Sequence, residues 1–316
     1  MTLRLPTSRF RRAARALPLL TAFVLAAGSE KAFAQACCAG GAVVTPTRLA
    51  LHEDVAVGVQ LRARSDPGSF DASGRYATSN GVEEVLEQDL AGSVRVFERG
   101  QLGVLAPMLQ THRTASGIDD WGGGVGDLSF TGRYDFLLAT EALRWPGVAL
   151  LAAADLPTGT PPDRATHPLA ADATGAGTYD VTLGLDVEKA SGHFYAAVNG
   201  WLTHRFARTL AVGGAPLTES FGVRWTVLGV ASYVFDGDAA VGLYASTFAE
   251  GAATIDGTHD ATTSLRLTTL GAAGVVPLRD VWRLQGSAFF DVPVASLGRN
   301  EPAGYGLTAS LVRVWL

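Results

Sequence analysis

GDLSFTGRYDFLL, residues 126–138, alternates with a period of two. Leu128, Phe130, Gly132, Tyr134 and Phe136 are apolar or small, while Asp127, Ser129, Thr131, Arg133 and Asp135 between them are polar. Successive side chains of a strand point to opposite faces, so the stretch predicts a strand with one apolar and one polar face. Two architectures use such a strand. In a soluble sandwich the apolar face packs a core; in a transmembrane barrel it meets lipid and the polar face lines the lumen.

The same rhythm recurs along the chain. It predicts twelve strands, over 53–64, 85–97, 101–113, 125–138, 146–157, 177–188, 192–206, 220–235, 239–249, 262–276, 281–293 and 304–316. A soluble strand more often has about 5 or 6 residues, whereas a tilted membrane strand needs about 9 to 11. Short turns at 98–100, 189–191, 236–238 and 277–280, with a longer one at 139–145, alternate with long connections at 65–84, 114–124, 158–176, 207–219, 250–261 and 294–303. Outer-membrane barrels are built this way, with short periplasmic turns, long outer loops and an even strand count.

Aromatic residues cluster at strand ends, as two interfacial girdles require. Phe97, Tyr134, Phe136, Trp145, Phe194, Tyr233, Phe235, Trp282 and Trp315 lie near the short turns; Trp121, Tyr179, Phe206, Phe221 and Tyr305 lie near the long loops. Residues 223–235 carry a seven-position apolar stripe from Val223 to Phe235. A sandwich of strands this long needs guarded edges, and Lys189 is the one lysine after Lys31; closure into a barrel removes the edges altogether. The fold class read from these features is all-β, an antiparallel up-and-down transmembrane barrel of twelve strands. Two segments stay ambiguous. VEEVLEQDLAG (82–92) also fits a short amphipathic helix, and in 192–206 Phe194, Ala196, Val198 and Leu202 compete with Tyr195, Ala197 and Trp201 for the lipid face.

The chain has 316 residues, 47% hydrophobic and 17% charged. Arg4, Arg9, Arg11, Arg12 and Arg15 precede an apolar run from Ala16 to Ala27, and Ala32-Phe33-Ala34 follows with the small residues that a signal peptidase reads. Residues 1–34 therefore read as a secretory signal peptide, with an apolar run too short for the roughly 20 residues of a membrane-spanning helix. Residues 35–52 read as a short leader and 53–316 as the barrel. Cleavage leaves 19 basic against 29 acidic groups, a net charge of −10, which excludes a basic nucleic-acid footprint. Cys37 and Cys38 are adjacent and cannot staple a fold. They read as a vicinal disulfide or two free thiols; a lipidated cysteine wants a leucine that Ala34-Gln35-Ala36 does not supply.

Chemistry-bearing patterns are sparse. WGGGVGD (121–127) lacks the Lys-Ser/Thr of a phosphate loop, and His52, His112, His167, His193, His204 and His259 show no metal-ligand spacing. Paired acids such as Asp119 with Asp120 could serve a protease-like barrel but read as a solvated turn, and no serine stands beside a histidine in a pattern that recommends a lipid hydrolase. No catalytic residue and no cofactor is implied. The inward charges expected to line a pore are Asp127, Arg133, Asp135, Asp180, Asp186, Glu188, Arg205, Arg224, Arg266, Arg283 and Asp291. Their mixed signs suit a channel for small polar or amphipathic solutes, or a salt-bridged lumen that is shut; a structural or adhesive barrel acting through its outer loops is the alternative. The implied partners are the lipid bilayer, small solutes and the outer-membrane assembly machinery.

Three stretches carry a family resemblance: GVGDLSFTGRYDFLL (124–138), GVALLAAADLPTGTPPD (147–163) and TGAGTYDVTLGLDVEKASGHFYAAVNGWLTHRF (174–206). They resemble the outer-membrane barrels associated with the meta-cleavage pathway of phenol degradation. The resemblance covers the middle third and implies a barrel that transports aromatic or hydrophobic solutes. The ending SLVRVWL (310–316) departs from the usual assembly signal, since Leu316 follows Trp315 where the chain normally stops at Phe or Trp.

Overall fold

The computed structural model describes residues 47–139, 145–212, 215–279 and 281–316. The signal peptide and the leader with Cys37 and Cys38, up to residue 46, lie outside the described residues. The strands are β1 (Val55–Phe70), β2 (Tyr76–Val96), β3 (Gly100–Ala115), β4 (Ile118–Val125), β5 (Leu128–Leu137), β6 (Gly147–Leu156), β7 (Asp180–Ser191), β8 (Phe194–Arg205), β9 (Arg208–Val212), β10 (Ala215–Ser220), β11 (Arg224–Val234), β12 (Ala240–Glu250), β13 (Ala253–Ile255), β14 (Thr258–Asp260), β15 (Leu265–Leu278), β16 (Trp282–Asp291) and β17 (Pro302–Trp315).

Thirteen strands form one antiparallel sheet in which β1 pairs with both β2 and β17, and β2 with β3, so the sheet closes on itself. β4 and β5 lie end to end along β3. They share one place in the wall, so the closed barrel has twelve positions, and each predicted strand fills one of them. The short turns and both ends of the described chain gather at one end, the periplasmic end of such barrels.

The predicted loops differ most from what is observed. Residues 65–84 continue as strand to Phe70 and resume at Tyr76, and 118–125 form β4. The segment 82–92 is strand throughout. Its backbone is held on both sides, by β1 and by β3, and that ladder overrides the helical spacing of Val82, Val85, Leu86 and Leu90. The connections at 207–219 and 250–261 contain the hairpins β9–β10 and β13–β14, joined in a small second sheet.

Face assignment follows the period of two. In β5, Phe130, Tyr134 and Phe136 are exposed on the outer face, and Arg133 and Asp135 turn inward. In β8, Tyr195 and Ala197 are buried inside while Phe194, Val198 and Leu202 meet lipid, which resolves that parity. On β17 the outward residues run from Tyr305 to Trp315. Ten residues of strand span about 33 Å, and at a tilt of about 40° this is about 25 Å of height, the thickness of an outer-membrane apolar band. Edge-to-face rings mark its periplasmic rim, Tyr134 with Phe136 at 5.1 Å and Tyr233 with Phe194 and Phe235 at 5.3 and 5.0 Å. Phe221 is the exception among the expected girdle residues: it lies beneath Arg205, whose guanidinium is 4.5 Å from its ring.

A cation at the centre of a lipid face costs about 2 to 4 kcal/mol, and one on the lumen side far less. Phe130→Arg is therefore expected to abolish or strongly reduce the heat-modifiable folded band on gels, and Thr131→Arg to leave it. Equal tolerance of the two would show the face assignment of β5 to be inverted.

Candidate functional site

The lumen is the candidate site, and its side chains fall into three layers. At the periplasmic end the chain preceding β1 turns into the barrel and bonds to its wall. Arg48 donates to Glu188 at 2.7 Å and to the Tyr195 hydroxyl at 3.0 Å, and that hydroxyl donates to Glu188 at 2.8 Å. Arg283 reaches the Arg48 carbonyl at 3.3 Å and the Glu53 carboxylate at 3.1 Å, while Arg95 donates to the carbonyls of Glu53 and Ala50. Gln101 accepts from the Leu49 amide, and Leu49 is buried against Ala56, Val312 and Val314. The space left beside this segment, between Arg48, Arg95, Gln101, Asp135 and Glu188, is about 30 Å³. That is room for a water or two, not for a solute. On the wall, Arg133 pairs with Asp135 at 2.7 Å, with Glu188 at 3.5 Å and with Asp186, which also accepts from Asn199.

The middle layer carries aromatic rings laid on glycines, beside the Arg62–Glu87 ion pair at 3.1 Å and the Gln60–Asp89 hydrogen bond at 3.0 Å. Trp201 stands directly opposite Gly184, Tyr244 opposite Gly271 and Phe289 opposite Gly306. A Cβ at any of these glycines would strike the facing ring. Each ring therefore lies flat along the wall of the neighbouring strand. Hydroxyl pairs fill the same zone, Thr182 with Thr203 at 2.8 Å and Ser287 with Thr308 at 2.6 Å.

The outer layer is charged again. Arg205 meets Asp180 at 3.2 Å and Glu250 at 3.3 Å, and Arg224 meets the same Glu250 at 2.7 Å. Arg64 bridges Asp66 and Asp291, each at 2.8 Å. Over this layer folds the loop between β6 and β7. Asp127 holds it by accepting from the amides of Gly159 and Ala176, at 2.9 and 2.6 Å. Asp120 accepts from the His167 ring and the Leu169 amide, at 2.9 and 2.8 Å, and Arg113 donates to the carbonyls of Leu169 and Ala170. The bond to Asp120 raises the pKa of His167.

Of the eleven charges picked from the sequence, Arg133, Asp135, Asp180, Asp186, Glu188, Arg205, Arg224, Arg283 and Asp291 have inward side chains in these networks. Asp127 is spent on the loop backbone. Arg266 is a correction: it faces outward, opposite Ala249, which in turn stands opposite the lipid-facing Trp225. Sequence reasoning missed Arg48 because nothing in a leader announces that it will fold back, and Glu53 and Arg95, near the ends of predicted strands, because their roles depend on that segment. It missed Arg64, Asp66 and Glu250 because they fall at or beyond predicted strand ends. Trp201, Tyr244 and Phe289 were legible as inward only once parity was known. His112 stacks on the outward-facing Trp121 at 4.0 Å and His204 packs against Phe206 at 4.9 Å, so neither histidine enters the lumen networks. Among the described residues no group of three His, Cys, Asp or Glu gathers to hold a metal.

No protein-family model matches the sequence, and no curated protein matches it either. Among solved structures the chain is similar to the COG4313 outer membrane channel from Pseudomonas putida F1, with a TM-score of 0.70 and 15% identity over 86% of this chain and 98% of that one. It also matches the NanC porin, with a TM-score of 0.41 and 9% identity over 82% and 100% of the two chains. The translocator domain of autotransporter NalP from Neisseria meningitidis gives 0.46 and 9% over 97% and 96%. The first likeness is one of fold. With its closed ladder, apolar band and girdles, the protein is a bacterial outer-membrane barrel.

Glu301, in the connection before β17, is largely enclosed near Arg224, Arg64, Glu250 and Asp291, and burial pushes its pKa up to about 7. An acid whose folded pKa lies above its free value of about 4.3 favours the folded state while protonated and withdraws that stability as pH climbs from about 4.3 to 7. The barrel's unfolding temperature is expected to fall across this window, by the equivalent of up to about 3 kcal/mol. Glu301→Gln should flatten the fall, and an identical pH profile in the variant would contradict the assignment.

Proposed function

We propose that the barrel is an outer-membrane channel for small solutes, aromatic ones among them, held shut at its periplasmic end by residues 48–53. The observation that carries this reading is the middle layer. Trp201, Tyr244 and Phe289 each spread a ring along the wall over a glycine of the next strand, and wall-hugging rings offer π faces without filling the passage. An aromatic solute slides past them by offset stacking, while its polar substituents exchange hydrogen bonds with Thr182, Thr203, Ser287 and Thr308. The resemblance to barrels of phenol degradation supports the same solute class. The charged layers on either side sort by size and charge, and the solute passes once the seal withdraws.

Two measurements test the proposal. In liposomes, the triple variant Trp201→Ala/Tyr244→Ala/Phe289→Ala is expected to lose several-fold in uptake of phenol-sized aromatic solutes relative to aliphatic solutes of equal size. In planar bilayers, Arg48→Ala with Arg283→Ala is expected to open the periplasmic end and raise conductance. Adding Arg205→Ala with Arg224→Ala should then shift selectivity toward cations, because Asp180 and Glu250 lose their counter-charges. Silence from wild type and all variants would refute the channel and favour a barrel that acts through its outer loops.

A further inference from the structure

Arg266 and Arg299 form a like-charged pair on the outside of the barrel. Their backbones exchange two hydrogen bonds, Arg266 N to Arg299 O at 3.0 Å and Arg299 N to Arg266 O at 2.8 Å. Residues paired in this way are direct cross-strand neighbours about 5.5 Å apart, with side chains on one face. Like charges so placed repel. Neither guanidinium has a carboxylate partner among the described residues. Arg266 donates to the Ser296 carbonyl at 3.1 Å and Arg299 to the Ser264 hydroxyl at 3.1 Å. Every inward arginine described above is compensated by a carboxylate or by carbonyl oxygens. Arg313, at the periplasmic end of the lipid face, lies over the rings of Trp315 and Trp282, at 4.8 and 5.7 Å. Among the described residues Arg266 and Arg299 have no carboxylate and no aromatic ring against them, only one carbonyl and one hydroxyl between the two guanidinium groups.

Their height is informative. Arg266 stands twelve residues above Leu278, which lies at the periplasmic rim of the same strand. That is about 40 Å of strand and, at a tilt of about 40°, about 30 Å of height, some 5 Å beyond an apolar band of about 25 Å. At this level an outward-facing group meets the headgroups of the outer leaflet. We propose that Arg266 and Arg299 bind a phosphate of a phosphorylated glycolipid headgroup, of the lipid A type, and that the bound lipid relieves their mutual repulsion. Guanidinium forks match phosphate oxygens in bidentate geometry.

The test uses the purified full-length protein in detergent with bisphosphorylated lipid A, chemically dephosphorylated lipid A and inorganic phosphate as probes. Binding is read by the temperature at which the heat-modifiable band converts, and by lipid phosphorus retained per protein. Bisphosphorylated lipid A is expected to raise the conversion temperature of the wild type and the other two probes to leave it unchanged. Arg266→Gln/Arg299→Gln should bind roughly tenfold more weakly, the loss expected for charge-assisted bonds; if the double variant does not fold, each single variant is expected to show part of the loss. Arg75→Gln, in the outer hairpin between β1 and β2, is the control and should bind as wild type. Undiminished lipid A binding in the variants overturns the proposal. So does an equal effect of inorganic phosphate, which would mark a free-anion site, or of dephosphorylated lipid A, which would mark acyl-chain contact alone.

Discussion

In hydrocarbon an unpaired backbone N–H or C=O costs several kcal/mol, so a strand at the edge of a sheet cannot face lipid. The chain meets this constraint through one pairing of distant segments, β1 with β17, which runs from Val55 against Trp315 to Ser69 against Pro302. The rest of the architecture depends on that seam. Because side chains alternate with a period of two, a slip of one residue would exchange the two faces of the strand. The register that sets Val57, Val59 and Leu61 beside Arg313, Leu311 and Ala309 on the outside also sends Arg62 and Arg64 inward.

Closure then creates an electrostatic problem inside. Charges confined to a narrow interior lose hydration and must find partners, and removal of one partner costs more than the pair contributes. In the periplasmic layer Arg133 alone faces Asp135, Asp186 and Glu188. Arg48 brings a second cation to Glu188 from the leader, while Arg95 and Arg283 of the wall turn to the leader's own oxygens. The segment is thus held by charge as well as by the packing of Leu49 against Ala56, Val312 and Val314. Held by ion pairs and carbonyl contacts, such a segment responds to charge and ionic strength, whereas a greasy plug would not. In the outer layer Arg205 and Arg224 converge on Glu250, while Arg64 bridges Asp66 and Asp291.

What the sequence reveals follows from which forces are local. The strands are legible because each meets the same two environments along its length, lipid and lumen; 126–138 shows this without any neighbour. The loops are less legible. Residues 65–84 and 118–125 extend the barrel beyond the membrane, where alternation is no longer enforced by lipid and a ladder with the adjacent strand decides. The inward charges were recovered where strands were clean, and the leader contacts were not, since Arg48 and Glu188 are 140 residues apart. The lumen rings were hidden for a different reason. Tryptophan and tyrosine within a strand read as lipid-facing until their glycine partners across the sheet are known.

Arg266 shows where polarity and the period of two part company. Along β15 the outward positions run Leu278, Val276, Gly274, Ala272, Leu270 and Thr268, then Arg266. On the inward side Leu267 is buried in a small apolar cluster with Phe70 and Ala303, packed by Tyr76 and Phe248. The inward side is apolar lower down as well, where Ala273 and Val275 belong to a buried cluster with Val230 and Ala240. Polarity alone therefore does not set the face of this strand; the alternation does. A reading that sends every charge inward places Arg266 in the lumen, whereas the period of two carries it to the outside with Leu270 and Thr268. At its height the outside is headgroup rather than hydrocarbon, and a cation there stands at the level where the leaflet carries its anions.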